Sequence, residues 1–525
     1  MTENTKEDQE NGAIPLDAVM ELERADIAID FGQSDFKNTS ELEPRAFEDL
    51  QLRARNACRR LLDDPLSDVM LLDCPEESVD PISFACDLLK SLGSKQIKAL
   101  LSPSKKELFE SADGSGLLKT FKGVLVLPCA LFSDHQKWVL KIRSVLKDNP
   151  DLKLLIAGDS VDLALLEALW PGLDCALRAD TDLEFQSPGG AFLVGGLIRS
   201  WRAEGIKDCS RDAVILLCSL LSRLAGDRRY IALPIRRMKA LLREASAFEN
   251  GQVVSSRSLL KAVGASDYRL NFDSKAALRD HRDSQILIAT QGTEVGQING
   301  LSVIETAGTS YVYGEPVRIT ASMRAGGDGE VVDIERKAEL AGQIHAKAMM
   351  IINGFLSREF GTISPLPATA SLVFEQSYTE IDGDSASLTG LCAVLSCFAD
   401  LPIRQDLAVT GAVDQLGDVQ PVGGVNEKIE GFFRICRLHG LTGTQGVVIP
   451  ISCVPQLVLR PSVLKAVREG KFHIYTVSHV TGAMRILTGV EWGDPQTENT
   501  IAWRISDRLD QISSRDAGHA WWHFW

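Results

Sequence analysis

Three short apolar runs, separated by helical segments, constrain this chain more than any other feature. "DVMLLDC" (Asp68–Cys74), "GVLVLPC" (Gly123–Cys129) and "LKLLIAGD" (Leu152–Asp159) are short and lack polar alternation. A strand that is apolar on both faces must be buried on both, as in a parallel sheet covered by helices on either side. "LQLRARNACRRLL" and "ISFACDLLKSL" read as helices at the matching α/β spacing.

Beyond Gly190 the pattern turns helical. "AVILLCSLLSRLAG" and "LPIRRMKALLREASAF" repeat apolar residues at three- and four-residue steps and end near Gly226 and Gly251; "SSRSLLKAVGA" adds a short helix. From Ser284 the texture becomes β, with "QILIATQGTEVGQINGLSVIE" and "EPVRITASMRAGGDGEVVDIE". The glycine-rich "AGGDGE" (Ala325–Glu330) reads as a strand-connecting turn rather than a phosphate loop. A helix across Lys337–Phe355, the strand "ATASLVFEQSY", helices after Ser385 and Asn426, and the strand "QGVVIP" complete an α+β segment. The expected layout is a multidomain α/β chain: an acidic, disordered tail over 1–50, an α/β domain over 51–190, a helical domain over 191–283, an α+β domain over 284–490, and a tail over 491–525 ending in "WWHFW". That aromatic end is either a sticky disordered terminus or a segment that docks on a neighbouring subunit or in a substrate channel.

The net charge of −15 is uneven: residues 1–50 hold 14 acidic and 4 basic side chains, leaving only −5 for the rest. This favours an acidic tail over an acidic fold, and it argues against nucleic acid, which needs a basic footprint. The eleven cysteines show no CxxC pair and no Cys/His spacing suited to zinc, so no metal is expected and they read as core residues in a reducing compartment. "MTENTKEDQENG" has no apolar signal core, and no run approaches the roughly 20 apolar residues of a membrane span. A cytoplasmic location is the expectation.

Candidate chemistry centres on "EIDGDSASLTGLCAVLSCFADLP", which starts at Glu380. Leu388, Leu391, Cys392, Leu395 and Phe398 recur at helical spacing, and Pro402 ends the pattern, so Ser385 falls at or just before a helix N-terminus. Free N–H groups there favour a developing negative charge, as an oxyanion hole requires. The plainer alternative is that Ser385, or Asp384, is an N-cap. The nearest histidines in sequence are His345 and His439. A further candidate base, Lys428, lies 43 residues on in "GGVNEKIEGFFRICRLHG", in the first turn of a helix with Asn426 as its natural N-cap. A free lysine, with a pKa near ~10.4, is a poor base, but burial at a helix N-terminus lowers that value. The alternative is an exposed surface lysine beside Glu427 and Glu430.

Together, "DGDSAS" and "TGAVDQLGDVQPVGGVNEKIEGF" resemble the proteolytic domain of Lon proteases, the Ser–Lys peptidase family. The resemblance runs from about Gly292 through Gly489 and includes "GQINGL", "YGEPVRITASM", "RQDLAVTGAV" and "FHIYTVSHVTGAMRILTGVEW". It is of the B type, with an acidic residue before the serine. It implies Ser385 as nucleophile, Lys428 as general base and Thr410 as the residue that positions the lysine. Gly383, Asp384 and Ala386 frame the serine loop, whose amides the resemblance implies as oxyanion donors. It also implies a homohexameric ring whose active sites face an inner chamber and cleave unfolded or damaged proteins.

Lon proteases couple this domain to an AAA+ ATPase that uses ATP and magnesium. The chain before Ser284 resembles such a module, with an α/β core followed by a helical lid; "GVLVLPCALF" resembles its Walker B strand and "LKLLIAGDSVDLALLEALWPGL" its sensor-1 strand and helix. Nothing fits GxxxxGK[ST], however, and the loop at the expected place is "DCPEESVDPIS", with Asp73, Glu76, Glu77 and Asp80. "DGSGLLKT" (Asp113–Thr120) has Asp113 and Leu118 where glycines must stand, and Pro128 and Cys129 replace the metal-binding acids. The expectation is a degenerate AAA+-like module without cofactor, fused to a Lon-type proteolytic domain. The rivals are an ATP-dependent protease with an unusual nucleotide site or partner ATPase, and a non-catalytic binding or adaptor protein.

Overall fold

The computed structural model describes residues 19–520, except 24–25, 28, 33–34, 111–115, 307, 310, 362–364 and 378–379, and no side chain beyond 514. The chain is mixed α/β and divides into two compact units, Ile29–Ser266 and a second made of Met1–Ala28 with Asp267–Trp525. Among the described residues no helix is long and apolar enough to cross a membrane.

In Ile29–Ser266 the three apolar runs form the centre of a five-stranded, wholly parallel sheet in the order Ile97–Ala99, Gly123–Pro128, Leu152–Gly158, Val69–Asp73, Leu177–Asp180. Successive residues of each run feed opposite cores. Val69, Leu71, Leu125, Leu127, Leu154 and Ile156 enter one cluster, while Met70, Leu72, Val124, Val126, Leu155 and Ala157 enter the other. The period of two explains why a strand buried on both faces shows no polar alternation.

The expected break at 190/191 falls inside this unit. Helix Gly190–Ser200 places Ala191, Val194, Leu197 and Ile198 in the same core as Met70 and Leu72, as do helices Arg211–Ala225 and Ile235–Phe248. The expected disordered tail over 1–50 also needs correction for its described part. Phe31, Phe36 and Phe47 are buried in that core, and Thr39 Oγ1 donates to Asp208 Oδ1 at 2.8 Å. The acidic composition hid a few large apolar side chains that suffice to anchor the segment. Residues 1–18 lie outside the described residues.

The second unit is built on a seven-stranded mixed sheet, in the order Val19–Glu21, His473–Val477, Gly446–Pro450, Leu407–Val409, Gln297–Glu305, Val312–Asp333, Ala368–Phe374. Its first strand comes from the supposed tail and pairs antiparallel with His473–Val477. "AGGDGE" is no turn between two strands: Val312–Asp333 is one 22-residue strand, and Gly326, Gly327 and Gly329, all at positive φ, let it bulge against Ala368–Phe374. The helix expected across Lys337–Phe355 runs over Gln343–Phe360 instead, after a short Ile334–Lys337 turn that ends before Glu339 at φ 59°. The C-terminal tail is helical over Ile501–Ala520, with Ile501, Ile505 and Leu509 buried in the core. "WWHFW" lies outside the described residues, as do the first three residues of "DGSGLLKT".

Candidate active site

The Leu407–Val409 strand is fully buried inside this sheet and parallel to the strands on either side. Leu407 and Val409 face the core that receives helix Ser387–Ala399; Ala408 faces the core that receives helix Val425–His439. Thr410 follows at the carboxyl end of the strand, the place where crevices open in parallel sheets. The two helices bring Ser385 and Lys428 toward it from opposite faces.

Helix Ser387–Ala399 is buried along all 13 residues. Its N-cap is Ala386, with no side-chain capping bond, so neither Ser385 nor Asp384 acts as the cap. Asp384 contributes only its carbonyl, which accepts the Ser387 N–H at 2.9 Å. Gly383, at φ 107° with open space where a Cβ would stand, turns the chain into this loop. The Ser385 carbonyl accepts from Gly411 N–H at 2.9 Å and from Thr410 Oγ1 at 3.1 Å. The N–H groups of Ser385 and Ala386 have no protein acceptor among the described residues.

Helix Val425–His439 starts from Gly424 at φ 64°, not from Asn426 as its sequence suggested. Asn426 lies inside the first turn and is buried. The helix lies close on the Val312–Asp333 strand because Gly314 and Gly431 face each other. A Cβ on Gly314 would stand 1.9 Å from the Glu427 carbonyl oxygen, and one on Gly431 would stand 2.4 Å from Gly314. Lys428 is consequently only 3% exposed, which excludes the surface-lysine alternative. Its Nζ donates to Thr410 Oγ1 at 3.2 Å. Burial drives its pKa down to about 8, outweighing the opposite pull of Cys453 and Asp384.

The structure thus links Lys428 to Ser385 through Thr410, on the serine's carbonyl side. Lys428 Nζ is hydrogen-bonded to the threonine and not to Ser385 Oγ. Both histidines are engaged elsewhere. His345 Nε2 lies 3.2 Å from Asp333 Oδ2, and His439 Nδ1 lies 3.2 Å from Thr290 Oγ1. A cleft of about 190 Å³ along the lysine helix, lined by Tyr311, Tyr313, Glu430, Arg434 and Arg460, contains neither Ser385 nor Lys428. Its Arg460 pairs with Glu430 at 3.1 Å and Asp267 at 3.2 Å.

The expected phosphate-loop position, after strand Val69–Asp73, has a different character. Burial, together with Asp180 and Asp159, raises the Asp73 pKa against the opposing pull of Arg178. Arg236 donates its N–H to Ser78 O at 2.9 Å and its Nη1 to Glu76 O at 2.8 Å, and Arg237 Nη2 reaches Glu77 Oε2 at 3.3 Å. This loop carries no glycine and no lysine, the groups with which a phosphate loop holds a triphosphate.

Sequence comparison matches residues 285–482 to the Lon protease (S16) C-terminal proteolytic domain. The chain is 44% identical over 308 residues to a putative Lon protease homolog of Escherichia coli, covering 59% of this chain and 52% of the relative. It is 40% identical over 384 residues to a putative Lon protease homolog of Haemophilus influenzae, covering 71% and 63%. An archaeal Lon protease of Archaeoglobus fulgidus is 29% identical over 293 residues, covering 54% and 44%. The chain therefore spans between half and two thirds of the length of the first two relatives.

Proposed function

We propose that this chain is an endopeptidase with a Ser385–Lys428 dyad, acting on unfolded or damaged polypeptides without ATP hydrolysis of its own. One observation carries the reading: a buried lysine with a pKa near 8, hydrogen-bonded to a threonine that also holds the serine's backbone. At pH 7 such a lysine is neutral about 300 times more often than one at 10.5. The neutral amine takes the Ser385 Oγ proton as Oγ attacks the scissile carbonyl. Closing of the Gly383–Ala386 loop is the remaining geometric step, since hydrogen bonds of this kind tighten on substrate binding. The free N–H groups of Ser385 and Ala386 are suited to the oxyanion. Lys428, now protonated, gives its proton to the leaving amine, and water then releases the acyl group from Ser385.

The absence of a motor is part of the proposal. The unit Ile29–Ser266 is read as a degenerate AAA+-like core with its helical lid. Its parallel sheet and helices support that reading, and the carboxylates and arginines around Glu76 and Glu77 argue against nucleotide. Assembly as a homohexameric ring is part of the proposal and is supported only by the resemblance to Lon proteases. A reducing, cytoplasmic setting is in keeping with cysteines that are all unpaired.

The test is cleavage of an unfolded, casein-like protein by the full chain, with and without ATP–magnesium, beside Ser385→Ala and Lys428→Ala. Cleavage without nucleotide, lost in both variants, is the expected result. Cleavage only with ATP would overturn the nucleotide-free reading, and unchanged cleavage by both variants would overturn the dyad.

A further inference from the structure

The lysine helix lacks the usual device that fixes a helix start. Gly424 offers no side chain to cap it, and the first turn carries a buried amine that burial alone would expel. The restraint comes from the side. Asn426, 6% exposed, reaches the backbone that follows Pro450. Its Nδ2 donates to Gln456 O at 2.8 Å and its Oδ1 accepts Val458 N–H at 2.7 Å. One side-chain amide thus satisfies the carbonyl and the N–H of two nearby residues, as a neighbouring strand would. The approach to the helix is held from the same segment: Cys453 Sγ accepts Val422 N–H at 3.4 Å and donates to Val422 O at 3.6 Å.

Asn426 and Lys428 are two residues apart, about 200° around a helix. The first turn is therefore held on one side by Asn426 on Gln456 and Val458, and on the other by Lys428 on Thr410. A rotation of the turn that freed one contact would break the other. We propose that Asn426 is a positioning residue for the base: its paired hydrogen bonds fix the rotation of the first turn, and so keep Lys428 both aimed at Thr410 and shielded from water. This rests on the dyad reading above, and it adds a residue that touches neither substrate nor nucleophile.

The role separates from a merely structural one by its effect on the base. With Asn426→Ala the turn gains freedom and Lys428 gains water, so the acid limb of the kcat/KM profile moves upward from about 8 by roughly one pH unit, with kcat falling at least tenfold at pH 7 and KM little changed. Asn426→Ser, which leaves a smaller void, shifts the limb in the same direction and decides the matter if the alanine variant does not fold. Either folded variant keeping its acid limb at the wild-type position, whatever its absolute rate, overturns the proposal. Lys428→Ala is measured alongside: if it retains the wild-type profile, the dyad reading fails rather than the role of Asn426.

Discussion

Two strand ends in this protein occupy equivalent positions and do opposite things. The carboxyl end of Leu407–Val409 and that of Val69–Asp73 both lie inside parallel stretches of sheet, where such folds place their ligands. At the first, burial lowers the pKa of a lysine bonded to a threonine hydroxyl to about 8, which makes its neutral form accessible near neutral pH. At the second, burial and neighbouring acids raise the pKa of a carboxyl, and two arginines tie down the adjoining loop. Topology supplies the location in both cases, and on the function proposed above side-chain chemistry makes one a reaction site and the other a structural joint.

The sharpest way to break the contrast is at the first end. Ser385→Ala and Lys428→Ala should each lower the rate of casein cleavage by about a thousandfold or more, roughly 4 kcal/mol of barrier. Removing the intermediary should cost less. Thr410→Val loses the acceptor for Lys428 Nζ and the donor to the Ser385 carbonyl, and an initial-rate assay should show a loss of about 10- to 100-fold.

Stability should move the other way. The folded-state pKa of Lys428 lies below its unfolded value, so the unfolded chain binds the extra proton between about 8 and 10.5 and stability rises with pH across that window. Below pH 8 the full penalty applies, about 3 kcal/mol for a shift of this size. Lys428→Met should therefore unfold at higher denaturant concentration at pH 7, by about 1–3 kcal/mol, and lose that advantage above pH 10.5. A destabilised methionine variant would mean that the lysine is not buried at a cost.

At the second end the expected effects are small. Asp73 has its pKa raised in the fold, so stability falls as the pH rises from the unfolded carboxyl's value through the folded one, and Asp73→Asn should be slightly more stable than the wild type at pH 7 in a denaturant titration. Nucleotide should do nothing. A ligand at a hundred times its Kd adds about 2.7 kcal/mol, so an unchanged melting temperature with millimolar ATP–magnesium is a clear outcome, and a rise of several degrees would restore the motor.

The three central strands of the parallel sheet were legible because they are almost continuously apolar, and the serine helix because its apolar residues recur cleanly before Pro402. What escaped the sequence was set by long-range packing. Asn426 looks like a cap because caps are a local pattern, whereas its partners Gln456 and Val458 lie 30 and 32 residues away. Gly314 and Gly431 both lie in the stretches that carry the resemblance, but nothing in the sequence shows that they meet, and their contact brings the Lys428 helix close on the strand. The acidic tail misled for the converse reason. Charge is averaged over a segment, but Phe31, Phe36 and Phe47 are buried one by one.

The most direct test is the pH dependence of Ser385 acylation by a serine-reactive probe in the nucleotide-free full chain. The account predicts labelling of Ser385 that rises with an apparent pKa near 8 and disappears in Lys428→Ala. Labelling that persists unchanged in that variant, or no labelling of Ser385 at any pH, would contradict it.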